Sequence, residues 1–539
     1  MQTRHLKSRW LSCMAIGVAT LLVVSACGGK KNSGGTSSSS GSGSASGSAS
    51  GGPSGQPQSG GTIRLIMPTE GQDIDPVHTS VAATAFGDEI WPIFDTLIRV
   101  DAAGKITPRI ATSVTSSDGG LSWTIKLRDG VKFSDGTPYD AAALMYNWQR
   151  DQLPTSAQAG DAKNITSMTV TDPTTLDIKL VAVNTGFPYL LQGVLGMNGS
   201  PTAIKNLGAK YSTNPVGAGP FIVTNRVAGS SVTYKKNPTY WDNPRPYADG
   251  LQINFVADAN QASASLTAGE GDIQDLLDDS VAKKLKSTSG FRVLDTSEGL
   301  NDSVTWFNNI KAPTDDVRIR QALVMASDPE DANSKADSGA GVMVTNLFPK
   351  DSPYYDAKAN IPWNNVTEAQ KLVDSYVADH GGQPVSIDWL YTTGSLQWPQ
   401  AFAQTINSKL KNVHINIVPT TATNALAKTY DKSYQMVGGT LSNADPVQIL
   451  SDRFQCKAGR NNANYCNPQM DAALTQAKQA TTTSARASAL AQAQEILWKD
   501  MPIFMINHQP PYKALAKKVG GAATFSDGML TLDSIWLAK

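Results

Sequence analysis

The sequence predicts an α/β fold divided into two or more lobes, and three observations carry that reading. The stretch 61–539 is long for a single hydrophobic core. Its first half is made of short strand-like runs punctuated by turns. Its second half alternates short strands with amphipathic, Ala-rich helices, the pattern of an α/β lobe.

The N-terminus is read separately. Arg4, Lys7 and Arg9 precede an uncharged apolar run from Leu11 to Val24. A basic start and an apolar run of that length read as a secretory signal, too short for a comfortable membrane span. The run ends Val24-Ser25-Ala26-Cys27, then Gly28-Gly29, which resembles a bacterial lipobox. That resemblance implies removal of residues 1–26 and a lipid on the sulfur of Cys27. The alternative is a buried Cys in an ordinary N-terminal helix, but residues 30–60 offer nothing to bury it. They are almost only Ser, Gly, Ala, Pro and Gln, and such a segment cannot offset the entropy of ordering. Residues 27–60 are therefore expected to be a tether, with an r.m.s. reach of about 30 Å. Its Gly-Ser-Gly runs have no flanking strand or helix and are not nucleotide loops.

Beyond the tether no stretch approaches 18 apolar residues in a row, so the body is not expected to span a membrane. Three of the 46 Lys and Arg residues lie in residues 1–26 and no acid does. The remaining 43 face 46 Asp and Glu, a formal charge of −3. That balance gives no electrostatic footprint for nucleic acid. Cys456 and Cys466 flank a short polar loop and read as a disulfide in an oxidising compartment. The alternative is a pair of metal ligands, but the nearest histidines in sequence are His414 and His508.

The body opens with a strand, Thr62 to Met67, broken by Pro68. Leu121 to Leu127 alternates apolar and polar residues, as a half-buried strand does. Asp129-Gly130 and Asp135-Gly136 follow as turns. Asp140 precedes a helix from Ala141 to Arg150, with Leu144, Tyr146, Asn147 and Trp148 at helical spacing. Val170 to Val181, Gly219 to Asn225, Ser231 to Lys235 and Leu251 to Val256 read as strands. Later helices are expected at Asp315 to Ala326, Thr367 to His380, Met470 to Ala480 and Ser484 to Asp500. Thr367 is expected to cap its helix and Gly381-Gly382 to stop it; the last helix ends before Pro502. Ile387 to Tyr391, Ile415 to Val418 and Tyr434 to Val437 read as short strands between helices.

Several blocks in order carry a family resemblance. Ile106-Thr107-Pro108-Arg109-Ile110-Ala111, through Leu121 to Leu127 and on to Asp135-Gly136-Thr137-Pro138, resembles the signature of the family 5 extracellular solute-binding proteins. Gly60-Gly61-Thr62 with Ile74-Asp75-Pro76 fits the same family. So do Pro215 to Phe221, Lys236-Asn237-Pro238-Thr239-Tyr240-Trp241, Asp316 to Leu323, and Asp500-Met501-Pro502-Ile503. The resemblance implies a two-lobed periplasmic-binding-protein-like α/β fold (class II, cluster C), with an extra β-rich subdomain at about 100–210. Lobe one would comprise 61–302 plus 500–539, and lobe two 303–499. It further implies a monomeric receptor without cofactor that captures a small solute, by default a short peptide. The solute would be enclosed by hinge closure and passed to the permease of an ABC importer. With the lipid anchor, the receptor would sit outside the cytoplasm on the cell membrane.

Most residues of these blocks are expected to be scaffold. Gly130 and Gly136 supply turn dihedrals. Arg318 and Arg320 are expected in structural ion pairs, and Trp123, Trp148 and Trp241 in cores. For ligand contacts, the resemblance points to the loop after Asp75-Pro76, with Thr79, Ser80 and Val81. It also points to a lobe-two loop where relatives hold a peptide's ammonium group with an Asp. Here that loop, Gly438 to Pro446, is about two residues short and lacks the usual Trp. Counting back from Asp445-Pro446 places Ser442 at the ammonium position; counting forward places Ala444 or Asp445 there. Ser442, Asn443 and Asp445 are therefore the candidates. Tyr391 and Trp398, read in a loop with Gly394-Ser395, are aromatic-wall candidates and equally candidates for the core.

Enzymatic motifs are not found. The body has no Gly-x-Ser-x-Gly elbow and no phosphate-binding Gly-x-x-x-x-Gly-Lys loop. His78, His380, His414 and His508 lack metal-ligand spacing. Ser280-Val281-Ala282-Lys283 has no Lys-Thr-Gly partner. Asp278-Asp279 and Asp315-Asp316 read as helix-start charges. Two alternatives stay open. One is a receptor for an oligosaccharide or another uncharged solute. The other is a surface lipoprotein of the same fold that regulates envelope biosynthesis or binds a partner protein.

Overall fold

A computed structural model describes residues 53, 55–71, 73–79, 87–101, 105–276, 278–294, 301–350, 352–393, 396–442, 446–509 and 512–539. The expectations for the signal, Cys27 and most of the tether lie outside the described residues.

Three sheets, each with its own core, organise the body. The first has seven strands in the order 291–294, 512–516, 273–276, 62–67, 250–255, 231–236 and 221–227. Its centre, Thr62–Met67, runs parallel to both neighbours. Alternation sends Ile63, Leu65 and Met67 into the larger core. Ile66 faces a second layer with Ala262, Leu266, Val281 and Leu285, from helices Ala259–Thr267 and Asp279–Lys286. A strand covered on both faces needs the near-continuous apolar run that the sequence shows here.

The second sheet is antiparallel, in the order 111–115, 122–127, 175–180 and 165–172. Trp123, Ile125 and Leu127 enter its core while Lys126 is exposed, as alternation requires. Helix Ala141–Asp151 adds Leu144 and Trp148, and the Asp140 carboxylate caps it at Ala143 N, 2.8 Å away. The single run expected at 170–181 is a hairpin instead. Its strands are Ile165–Asp172 and Thr175–Leu180, broken at Pro173, where the Asp172 carboxylate accepts from Thr174 N at 2.8 Å. Gly130 and Gly136 have φ of +73° and +84°, as their turns require.

The third sheet has the order 413–420, 385–392, 436–442, 301–307 and 503–508. Helices Val317–Ala326, Val366–Asp379, Gln397–Lys409, Pro468–Gln479 and Thr483–Asp500 surround it. Their apolar faces join Trp306, Ile387, Trp389 and Phe504 in the largest core. Asn365, not Thr367, caps the second of these helices, its side chain accepting from Glu368 N. Thr367 lies inside the first turn. Arg318 pairs with Asp316 and Asp379 at 2.7 and 2.6 Å. Arg320 departs from the ion pair expected of it: its guanidinium binds the carbonyls of Asp500, Met501, Thr314 and Asp315, tying two helix ends together.

One boundary differs from the sequence reading. The resemblance implies a return to lobe one at about residue 500. Strand Ile503–His508, wholly buried, instead pairs with 301–307 in the third sheet. Met501, in a left-handed conformation at φ +47°, merely turns the chain from helix into that strand. The return to the first sheet begins with strand Tyr512–Ala516.

Cys456 and Cys466 are joined by a disulfide. Closing so small a loop stabilises by about 2–3 kcal/mol. Replacing both with Ser is expected to lower the unfolding free energy by that amount, read by urea titration; an unchanged urea midpoint contradicts it.

Candidate functional site

The topology aligns the ends of the first and third sheets. In the third sheet, 385–392 is parallel to both 413–420 and 436–442, so Thr392, Thr420 and Ser442 end at the same side. Strand 301–307 is antiparallel to its neighbours, with Asn301 opposite Ser442 and Asp302 opposite His508. In the first sheet, Leu276 lies opposite Tyr512 and Leu294 opposite Lys513. The chain crosses between these edges twice, from Leu294 to Asn301 and from His508 to Tyr512. The second crossing spans at most about 14 Å. The space between two such edges, beyond the carboxyl ends of parallel strands, is where open α/β sheets bind ligands.

On the third-sheet side the edge is held by paired polar groups. The Asp302 carboxylate is bonded to Nδ1 of His508, both buried. His508 N donates to the Val342 carbonyl at 2.9 Å. One residue further in, the Tyr391 hydroxyl and Ser303 Oγ lie 2.7 Å apart. Burial pushes the Tyr391 phenol above its ordinary pKa. The ring lies flat on Gly438, where a Cβ would come within 2.4 Å of it. Trp389 Nε1 donates to Thr305 Oγ1 at 2.9 Å.

On the first-sheet side a Lys lies buried between two acids. Lys513 Nζ is 2.9 Å from Asp88 and 3.0 Å from Asp275, and the ammonium is fully buried. Burial alone would lower the Lys513 pKa, but Asp275 and Asp88 hold it above the usual range. Burial pushes Asp275 up to about 6 against the pull of Lys513. Two carboxylates around one ammonium leave an excess of negative charge behind this edge.

The expected contacts are distributed as follows. Thr79 is buried, its hydroxyl donating to the Asp73 carbonyl at 2.6 Å and its own carbonyl accepting from Gln158 Nε2 at 2.7 Å. Ser80 and Val81 lie outside the described residues, as do Asn443 and Asp445. Ser442 is the last residue of its strand, at the edge. Tyr391 is on a strand and only 7% exposed. Trp398 is on helix Gln397–Lys409 rather than in a loop, against Gly341 and near Phe402. The loop reading failed because Gly394-Ser395 stops just short of a helix that begins Gln397-Trp398-Pro399, with Pro tolerated in a first turn. Asp302 with His508 and the Asp88–Lys513–Asp275 group were not foreseen. Their members are 206 and 425 residues apart, so no local motif marks them.

Among the described residues no group of three or more His, Cys, Asp or Glu could hold a metal ion. No described helix is long and apolar enough to cross a membrane.

Two halves, each with its own sheet and joined by two crossings, give the two-lobed periplasmic-binding-protein fold. Residues 105–461 match the family of bacterial extracellular solute-binding proteins, family 5 Middle, and the chain belongs to that family. It is a solute-binding protein and not an enzyme. It is similar to the glutathione-binding protein GsiB of Shigella dysenteriae, 26% identical over 422 residues, 75% of this chain and 81% of that protein. Solved structures share the fold. The periplasmic binding protein DppA from Helicobacter pylori, in complex with the peptide STSA, superposes with a TM-score of 0.77 at 20% identity. The match covers 89% of this chain and 99% of that one. AgaA from A. tumefaciens R10, in complex with agropinic acid, gives the same TM-score, identity and coverages.

Tyr391→Phe keeps the ring on Gly438 and removes the partner of Ser303. The expected loss is about 1 kcal/mol of unfolding free energy, measured by urea titration. A loss-free variant would show that the bond does not hold the edge.

Proposed function

We propose that this protein is an exported receptor that captures short peptides between its two lobes and delivers them to the permease of an ABC importer. The observation that carries the reading is the family match over residues 105–461. Relatives whose names record glutathione and peptide as ligands support the choice of solute. The ligand lies between Thr79, Ser80 and Val81 on one side and Ser442, Asn443 and Asp445 on the other. Tyr391 and Trp398 back the third-sheet wall. An ammonium group is served by the Asp445 carboxylate, with the negative excess around Lys513 favouring a cationic end.

Export and anchoring complete the proposal. Residues 1–26 direct secretion, Cys27 carries the lipid, and the Ser/Gly-rich segment to residue 60 spaces the receptor from the membrane. Cys27→Ser is expected to move the protein from the membrane fraction to the soluble extracytoplasmic fraction. Retention in the membrane would refute the anchor.

Thermal unfolding tests the solute. A ligand at 100 times its Kd stabilises by about 2.7 kcal/mol. The Tm of the purified protein should rise with a di- to pentapeptide library or glutathione and not with a panel of oligosaccharides. A rise with oligosaccharides alone overturns the peptide reading.

A further inference from the structure

The two halves of the protein also touch far from the crossings. Gln448, on helix Pro446–Phe454 of the third-sheet half, reaches toward the four-stranded subdomain. Its Nε2 donates to Asp161 Oδ1 at 3.1 Å and to Asp452 Oδ1 at 3.0 Å. One amide thus bridges two carboxyl groups that belong to different halves. Beside it, Thr185 N and Oγ1 both donate to the Lys478 carbonyl at 3.0 Å, and Oγ1 also to the Ala480 carbonyl. The Arg486 guanidinium lies 5.8 Å from the Tyr189 ring. The helix that carries Gln448 and Asp452 begins directly after residues 443–445, the segment to which the ligand contact is assigned.

We propose that the Asp161–Gln448–Asp452 contact is a proton-operated latch: closing the halves partly buries two facing carboxyl groups and takes up a proton from solvent, so that solute is held more tightly in acid and released as pH rises. The inference rests on closure between the halves and not on which solute is bound. Two ionised carboxylates a single amide apart repel, and one amide cannot neutralise both. A proton on one of them turns repulsion into a hydrogen-bonding group.

The charged surroundings agree. Burial, and after it Asp452, pushes Asp161 up to about 6, while Arg460, Lys478 and Lys163 pull the other way. Burial likewise raises Asp452 against Arg460, Gln448, Lys478 and Arg453. With the halves apart, a solvated Asp titrates near about 3.9. A carboxyl whose pKa is higher in the closed form favours closure fully below the open value. It ceases to do so as pH rises through the closed value. The window is therefore about pH 4 to 6, and between pH 7 and pH 5 the closed-to-open ratio should rise about tenfold.

A second carboxyl pair serves as an internal control. Asp279, on the first-sheet half, and Asp337, at the end of helix Pro329–Asp337, face one another. Burial pushes Asp279 up to about 6, with Tyr512 opposing and Asp337, Asp278 and Lys286 also facing it. Asp279 also interacts with Tyr512, the residue at the second crossing, so the pair is placed at the pivot. It is not part of the latch.

Single-molecule energy transfer between dyes on Thr169→Cys and Gln492→Cys, both exposed positions on opposite halves, reads the ratio in ligand-free protein. The closed-to-open ratio should rise about tenfold from pH 7 to pH 5. The rise should be clearly smaller than in the unaltered protein in Asp161→Asn, and in Asp452→Asn should Asp161→Asn fail to fold. Asp337→Asn should keep the full change. A pH-independent ratio in the unaltered protein, or full pH dependence in both latch variants, overturns the proposal. So does its loss in Asp337→Asn alone.

Discussion

The pairing of Asn301–Phe307 with Ile503–His508 is the constraint on which the rest depends. These strands carry the chain into and out of the third sheet, and they lie side by side. Both crossings therefore leave from one point on one edge. Two adjacent crossings are the arrangement that the proposed hinge closure requires. Asp302 and His508 fasten the two strands together at the last residue before the crossings, where fraying would otherwise begin. The peptide-binding reading and the latch both require this geometry, since a site between halves works only if closure is reproducible.

The first-sheet half is completed by chain from the far end of the sequence. Arg109, from the signature block, makes a two-point contact with Asp95 at 3.0 and 3.1 Å and reaches Asp533 at 2.9 Å. Tyr240 and Trp241 donate to the same Asp95 carboxylate. Burial would raise Asp533, but Arg109 and Arg245 keep its pKa below the ordinary carboxylate range. Buried charges of this kind are tolerable only when every partner is present. The C-terminal segment is thereby locked to the start of the β-rich subdomain. Two of the blocks, at 106–111 and 236–241, thus meet at a single buried ion cluster.

Much of the fold was legible because its signals are local. Alternation at Ser122–Leu127, the Asp140 cap and the Gly381-Gly382 stop each act within a few residues. What was misread also has a physical cause. Asp172-Pro173-Thr174 makes a turn through a side-chain bond that apolar patterning does not register. Pro502 ends a helix without ending a lobe, because strand 503–508 pairs with residues far earlier in the chain, at 301–307. The site was less legible than the fold. Tyr391, read as an aromatic-wall or core candidate in a loop, is on a strand, and its hydroxyl is taken up by Ser303, a partner 88 residues away. Asp302, His508 and Lys513 gain their meaning only through long-range contacts, and the sequence presents each as an isolated polar residue.

The central claim is that solute binding closes the halves about the paired crossings. Small-angle X-ray scattering of the purified protein, with and without a saturating di- to pentapeptide library, tests it most directly. The account predicts a smaller radius of gyration on binding, with the scattering of the ligand-free protein showing the halves further apart. An unchanged radius of gyration under conditions where calorimetry registers binding would contradict it.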